Sequence, residues 1–301
     1  MSTAASPRHL VWVRLMRHRL AQLSLVFLAV LVVLSLAAPL IANLRGVDPS
    51  TTDLFRRFEP PSAEYWLGTD DLGRDLFQRL LDGGRVSLLV GILGALLSAI
   101  LGAVIGVVSG YLGGRLDSVL MRFTDGVISL PLLPLLIVLA AIDPRKIGVP
   151  AEIAQSETFS LYRIVIIVAL TGWTTAARLV RAETLSLKAR DFTRAAQALG
   201  ARPERIMFRH ILPNAAGSLV VATTLSVGTL ILLESTLSFL GLGTQPPAAS
   251  WGNMLTGAQE LLQQAPVLAL WPGLLIFLTV MAFNFVGDGL QDALDPRSDR
   301  R

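Results

Sequence analysis

The chain has 301 residues, of which 52% are hydrophobic and only 16% charged, and its formal net charge is +4. A water-soluble domain carries roughly 25% charged residues, so the composition excludes an ordinary soluble fold and points to a membrane protein. Cysteine is absent and histidine is confined to His9, His18 and His210, which excludes disulfides, thiolate metal sites and thiol nucleophiles.

A hydrocarbon core about 30 Å thick needs about 20 helical residues to cross it, and six segments meet that length. Residues 1–19 are basic, with Arg8, Arg14, Arg17 and Arg19, and lead into a first span over Leu20–Ala42. Its apolar run is longer than a signal-peptide core. Despite the small-x-small sequence Ser35-Leu36-Ala37 it reads as a retained anchor over 20–42. Residues 43–85 form an extracytoplasmic loop with turn signals at Asp48-Pro49, Pro60-Pro61 and Gly68.

The second span, Val86–Tyr111, carries a small residue every four positions: Gly94, Ser98, Gly102, Gly106 and Gly110. On a helix these form one stripe along which another backbone can approach closely, the usual packing device in lipid. The third span, Val119–Ile142, holds Pro131 and Pro134, together with Arg122 and Asp125, whose i,i+3 spacing suits a local ion pair. The fourth, Ile164–Val180, turns polar at Thr171, Trp173, Thr174 and Thr175. Such mixed spans suit helices buried among others or facing water, so Trp173 and Thr174 are candidate pathway or gating residues. The fifth, Ala216–Leu240, carries Glu234 within its apolar run. An ionisable group there faces a bundle interior or a water path; a structural or gating role and a pathway role both stay open. The sixth span is Pro266–Val286, and 291–301 is a polar tail. Five of the spans thus fall in one core over 86–290.

The distribution of basic residues orients the bundle. With the N-terminus inside, 17 of the 26 Lys and Arg residues fall on the inner side, eight of them in residues 178–212. Cytoplasmic loops carry the excess of positive charge, so both termini and the 181–215 loop are expected in the cytoplasm.

That loop is the most informative segment. Asp191 opens a helical stretch with Ala195, Ala196 and Ala198, Gly200 fits its end, and Pro203 suits the first turn of a second helix. The second helix sets Ile206, Phe208 and Ile211 against Arg202, Arg205 and Arg209. Charge and periodicity alone describe a helix–turn–helix on the membrane, including an amphipathic helix on anionic lipid.

The residues are more specific than that. Ala195, Ala196, Gly200, Leu212 and Pro213 fall at the spacing of the "EAA" coupling motif, and the segment resembles the permease subunits of binding-protein-dependent ABC importers. Arg194 stands where the family pattern has Glu, and His210 where it has Ile. Further stretches resemble the di/oligopeptide branch, DppC/OppC-like. They are Trp66 to Asp75, Gly113-Gly114 with Asp117, Arg122 and Asp125, Glu234 to Gly243, Pro247 to Gly252, and Asp288 to Pro296.

The resemblance implies an all-α polytopic protein of six transmembrane helices, like a type I ABC importer permease. It implies a heterodimer with a paralogous permease, two ATPase subunits or domains, and an extracytoplasmic substrate-binding protein, in a bacterial inner membrane. Asp191, Arg194, Ala195, Ala196, Gly200, Arg209, His210, Leu212 and Pro213 would then form the contact with an ATPase. No G-x-x-x-x-G-K-[ST] phosphate loop occurs in the sequence, so the chain is expected to be no enzyme and to hold no cofactor, ATP and magnesium belonging to the partners. No nucleic-acid role is expected. The cargo implied is a di- or oligopeptide; other small solutes such as nickel complexes or glutathione use similar subunits. A stand-alone secondary transporter is the competing class, but the internal symmetry expected of it is not evident.

Overall fold

The computed structural model describes residues 12–48, 50–154, 156–256 and 261–294. Arg8, His9, Pro49 and Pro296, with the 295–301 part of the tail, lie outside the described residues. Among the described residues the fold is helical, with one isolated β-bridge between Thr69 and Asp75.

Helix α1 covers Arg19–Leu36 and α2 covers Ala38–Arg45. The expected single span Leu20–Ala42 is therefore divided at Ala37, where Pro39 sits in the first turn of α2. His18 caps α1, its Nδ1 accepting from the Ala21 N–H at 3.3 Å. Helix α3, Leu76–Leu112, has 37 residues and runs about 55 Å at 1.5 Å per residue. It begins ten residues before the expected Val86, because Asp75 caps it by accepting from the Gln78 N–H at 2.9 Å. Its polar first turns project beyond the apolar run into a cap built by residues 43–75.

The cap is held by charge. Arg45 pairs with Asp75 at 2.7 Å, and Asp70 takes both Arg74 at 2.7 Å and Arg79 at 3.3 Å. Gly73 turns the chain with φ +75°, and a Cβ there would fall 1.9 Å from the Asp53 carbonyl. No L-residue fits that corner.

The third expected span is broken. Helix α4, Gly114–Ser129, and helix α5, Leu132–Ala141, meet at 89°. Pro131 forces the break, since a proline disfavours helical geometry in the residue before it: Leu130 is extended, with ψ 136°. Helix α6, Glu157–Lys188, overshoots the expected Ile164–Val180 at both ends. The short helix α7 covers Asp191–Ala198.

Helix α8, Leu212–Phe239, does not start at Ala216 but is entered continuously from Pro203 through a π-helical turn over Ile206–Ile211. Pro213 has no N–H to give the carbonyl four residues back. The turn before it widens, and the Leu212 N–H reaches the Met207 carbonyl instead. The expected second helix of a surface helix–turn–helix is thus the foot of a membrane helix. Helix α9, Val267–Leu294, carries Pro272 within it.

Among the described residues five helices are long and apolar enough to cross a membrane, and the α4–α5 pair makes up to six. The bundle is centred on α3 and α6. Along the stripe a Cβ on Gly102 would lie 2.5 Å from the Ala176 Cβ, one on Gly106 2.5 Å from the Ala177 carbonyl, and one on Gly110 2.8 Å from the Thr184 Cβ. Ser98 Oγ donates to the Ala169 carbonyl at 3.3 Å. Absent side chains here let two backbones touch, which is what association in lipid rewards.

Candidate functional site

Two regions bring chemistry-bearing residues together: the foot of the bundle around α7, and the face where the α4–α5 break opens. At the foot, α7 is a rigid projection. Thr193 is buried and its hydroxyl donates to the Leu187 carbonyl at 2.9 Å, tying α7 to the end of α6. Lys188 Nζ donates to the Tyr111 carbonyl at 2.5 Å and stands 5.3 Å from that ring, which joins the ends of α3 and α6. Gln197 reaches the Tyr111 hydroxyl at 3.3 Å. Gly200 ends α7 with φ +78°.

The residues expected to couple divide between two faces. Asp191, Arg194, Ala195, Gly200, Arg209 and Pro213 are exposed, whereas Ala196, His210 and Leu212 are half-buried. Ala196 and Leu212 pack on the cluster of Val107, Tyr111, Val180, Ile206 and Ile211. The exposed face also presents apolar groups: Leu199 is 87% exposed, and Phe192 and Phe208 are open too. An apolar tip ringed by arginines is a surface suited to a protein partner.

Two ion pairs fasten α4 to α6 above the foot. Arg181 holds Asp117 through two bonds of 2.6 and 2.7 Å, and Ser109 Oγ donates to the same carboxylate at 2.5 Å. Asp125 pairs with Arg178 at 2.5 Å. The expected Arg122–Asp125 pair does not form; a cross-helix arginine takes the carboxylate instead.

Beside Arg178 lies a cavity of about 640 Å³, walled by the α4–α5 break, by α6 and by α8. Thr174 lines it. Trp173 does not: it is buried and stacks on Phe123 at 6.0 Å between centroids. Glu234 lies elsewhere, fully buried. It accepts from Ser87 Oγ at 2.9 Å and from Ser238 Oγ at 2.6 Å. Ser87 Oγ also accepts from the Trp251 N–H at 3.2 Å, and Ser238 Oγ from the Thr244 N–H at 3.2 Å. The carboxylate therefore organises the loop after α8.

Sequence reasoning did not single out Thr193, Lys188, Tyr111, Ser87 or Arg178 as site residues. Ser238, four residues beyond Glu234, was passed over as well, although helical spacing puts it within reach.

A family model described as "Binding-protein-dependent transport system inner membrane component" matches residues 102–300. A second, "N-terminal TM domain of oligopeptide transport permease C", matches residues 6–61. The chain is 39% identical to the Oligopeptide transport system permease protein OppC of Bacillus subtilis (strain 168), over 94% of this chain and 88% of that one. It is 37% identical to the Dipeptide transport system permease protein DppC of Alkalihalophilus pseudofirmus, over 98% of this chain and 91% of that one. Among solved structures, an inward-facing MetNI methionine ABC transporter aligns with TM-score 0.56 and 20% identity, covering 73% of this chain and 97% of that one. That likeness concerns the fold.

Proposed function

This chain belongs to the binding-protein-dependent transport system inner membrane component family, and from that premise we propose that it is the permease subunit of an ATP-driven di- or oligopeptide importer. Membership removes the stand-alone secondary transporter. In the assembly, this multi-pass chain pairs with a paralogous permease, takes cargo from an external binding protein, and receives force from ATPases docked at α7.

The observation that carries the reading is the construction of α7. It is an eight-residue helix footed on α6 and followed directly by the root of α8, so a push on it reaches two membrane helices at once. Such a lever suits a bundle with two packed states that nucleotide in the partners selects. The exposed Asp191, Arg194, Ala195 and Leu199 form the contact; Ala196 and Leu212 anchor it from beneath. The positive-inside bias supports a cytoplasmic position for α7 and both termini.

The test is reconstitution with the paralogous permease, the ATPases and the binding protein in sealed vesicles. Labelled peptide should accumulate only when ATP and the binding protein are both present. Accumulation without ATP, or no peptide uptake by an intact assembly, overturns the reading. Orientation is tested separately: Leu199→Cys in this cysteine-free chain should react with an impermeant thiol reagent only from the cytoplasmic side.

A further inference from the structure

The Arg178–Asp125 pair differs from its neighbour. Arg181 and Asp117 share two bonds, Ser109 adds a third, and their side chains are 32% and 17% exposed. That set is closed. Arg178 and Asp125 share one bond, from Nη2 to Oδ1, and stay 50% and 59% exposed. The remaining guanidinium N–H groups and Oδ2 have no partner among the described residues.

Position makes this significant. Arg178 lies ten residues before the end of α6, and Asp125 eleven after the start of α4. At 1.5 Å per residue both stand about 15 Å inward from the coupling-loop ends of their helices. Helix α6 is about 48 Å long and a hydrocarbon core about 30 Å thick, so the pair lies toward the inner end of the spanning stretch. An open ion pair there faces water or protein, since hydrocarbon is costly for charge.

Charge in the cluster is unbalanced. Arg122, one helical turn before Asp125, forms no ion pair among the described residues. Asp125 also acts on Arg181, so the three arginines Arg122, Arg178 and Arg181 stand against two carboxylates. The cavity of about 640 Å³ opens against Arg178, and Thr171, Thr174, Thr175, Ser226 and Thr229 line it. The hydroxyls of Thr171, Thr174 and Ser226 donate to carbonyls of their own helices at 2.9, 3.3 and 2.8 Å. With their protons so engaged, the oxygens of these three residues are left as acceptors, which suit amide N–H groups.

We infer that Arg178 is a carboxylate-binding residue of the translocation path, which takes the C-terminal carboxylate of a peptide in transit while the hydroxyls receive its amides. Asp125 is the resting counter-ion. When the cargo carboxylate arrives, Asp125 turns to Arg122 at i−3, so one carboxylate replaces another and no cation is left bare. The inference rests on the peptide-importer reading and names the group by which this subunit contacts its cargo.

The test uses the whole assembly in vesicles with a labelled tripeptide and its C-terminal amide, each uptake rate normalised to its occupancy of the binding protein. The unsubstituted assembly should favour the free carboxylate. Arg178→Gln should lower its uptake about tenfold and erase the preference, and Arg178→Lys should restore part of both. Copurification with the ATPases checks that each variant assembles. Arg178→Gln with unchanged rate and preference overturns the inference, as does equal loss of both peptides, the mark of a structural fastener. If Arg178→Gln does not assemble, Arg178→Lys decides: a reduced but retained preference supports the inference, and no preference overturns it. No uptake of either peptide by the unsubstituted assembly overturns the importer reading itself, and the inference with it.

Discussion

A fully buried carboxylate needs hydrogen-bond donors held close by the fold, and Glu234 takes them from two helices. Ser87 comes from α3 and Ser238 from α8, and both serine oxygens in turn accept backbone N–H groups of the loop that follows α8. That loop buries Trp251 completely, its indole donating to the Leu80 carbonyl at 3.0 Å. Removing the carboxylate would orphan two buried hydroxyls, at about 1–3 kcal/mol each. Glu234→Ala should therefore lower the thermal midpoint of the purified protein and shift the fluorescence of Trp251 toward that of a solvated indole. Glu234→Gln keeps the volume and one acceptor oxygen and should lose less. Equal midpoints for Glu234→Ala and the parent would show that the network carries no stability. The glutamate was legible in the sequence, without a partner near it. Ser87 was not: it lies 147 residues away, and no pattern within one helix announces a partner on another.

Among elements, the α3–α6 contact was the most legible, because a four-residue repeat of small residues has a direct steric meaning. Gly106→Val would drive its Cβ to 2.5 Å from the Ala177 carbonyl. Overpacking of this kind costs about 1–3 kcal/mol, and here the obstacle is backbone. The expected outcome is a sharp fall in folded protein recovered from membranes, with Gly126→Val, where a Cβ meets nothing, as the tolerated control. Helix ends were less legible. The polar residues Arg79, Asp82 and Arg85 hid the first turns of α3, and Pro213 disguised the root of α8, because the π-helical turn that absorbs a proline leaves no signal in hydrophobic periodicity. The 89° break was legible only as two prolines in a long apolar segment. For α7, Gly200→Pro is incompatible with φ +78° and Ala196→Trp overfills its seat. Both should insert normally but stop transport. Arg194→Glu reverses an exposed charge without touching the seat. It should weaken stimulation of the ATPases by loaded binding protein, measured as phosphate release; unchanged stimulation would remove Arg194 from the contact.

At the scale of the molecule, the question is how force at one end of the bundle reaches its middle. Helix α6 is unbroken over 32 residues, about 48 Å at 1.5 Å per residue. It carries α7 at one end, lies along α3 through the glycine stripe, and is bound to α4 by Arg181–Asp117. Helix α4 ends at the break that walls the cavity. A displacement of α7 therefore moves α6 directly and α4 through the ion pair, while α5 is packed on α6 through Leu136 and Ala140. This makes Asp117 a transmission residue: Asp117→Asn removes the ionic partner of Arg181 but keeps a side chain of similar shape, one able to accept from Ser109. Insertion and ATP hydrolysis should persist, while peptide transported per ATP hydrolysed falls about three- to tenfold. The decisive measurement is that ratio, not either rate alone. A proportional fall in both rates would mean that Asp117 supports the fold generally, and two unchanged rates would mean that motion reaches the break by another route. None of this path was visible as a path in the sequence. Its residues are separated by 64 positions, and they become neighbours only after the small residues of α3 have brought α6 into contact.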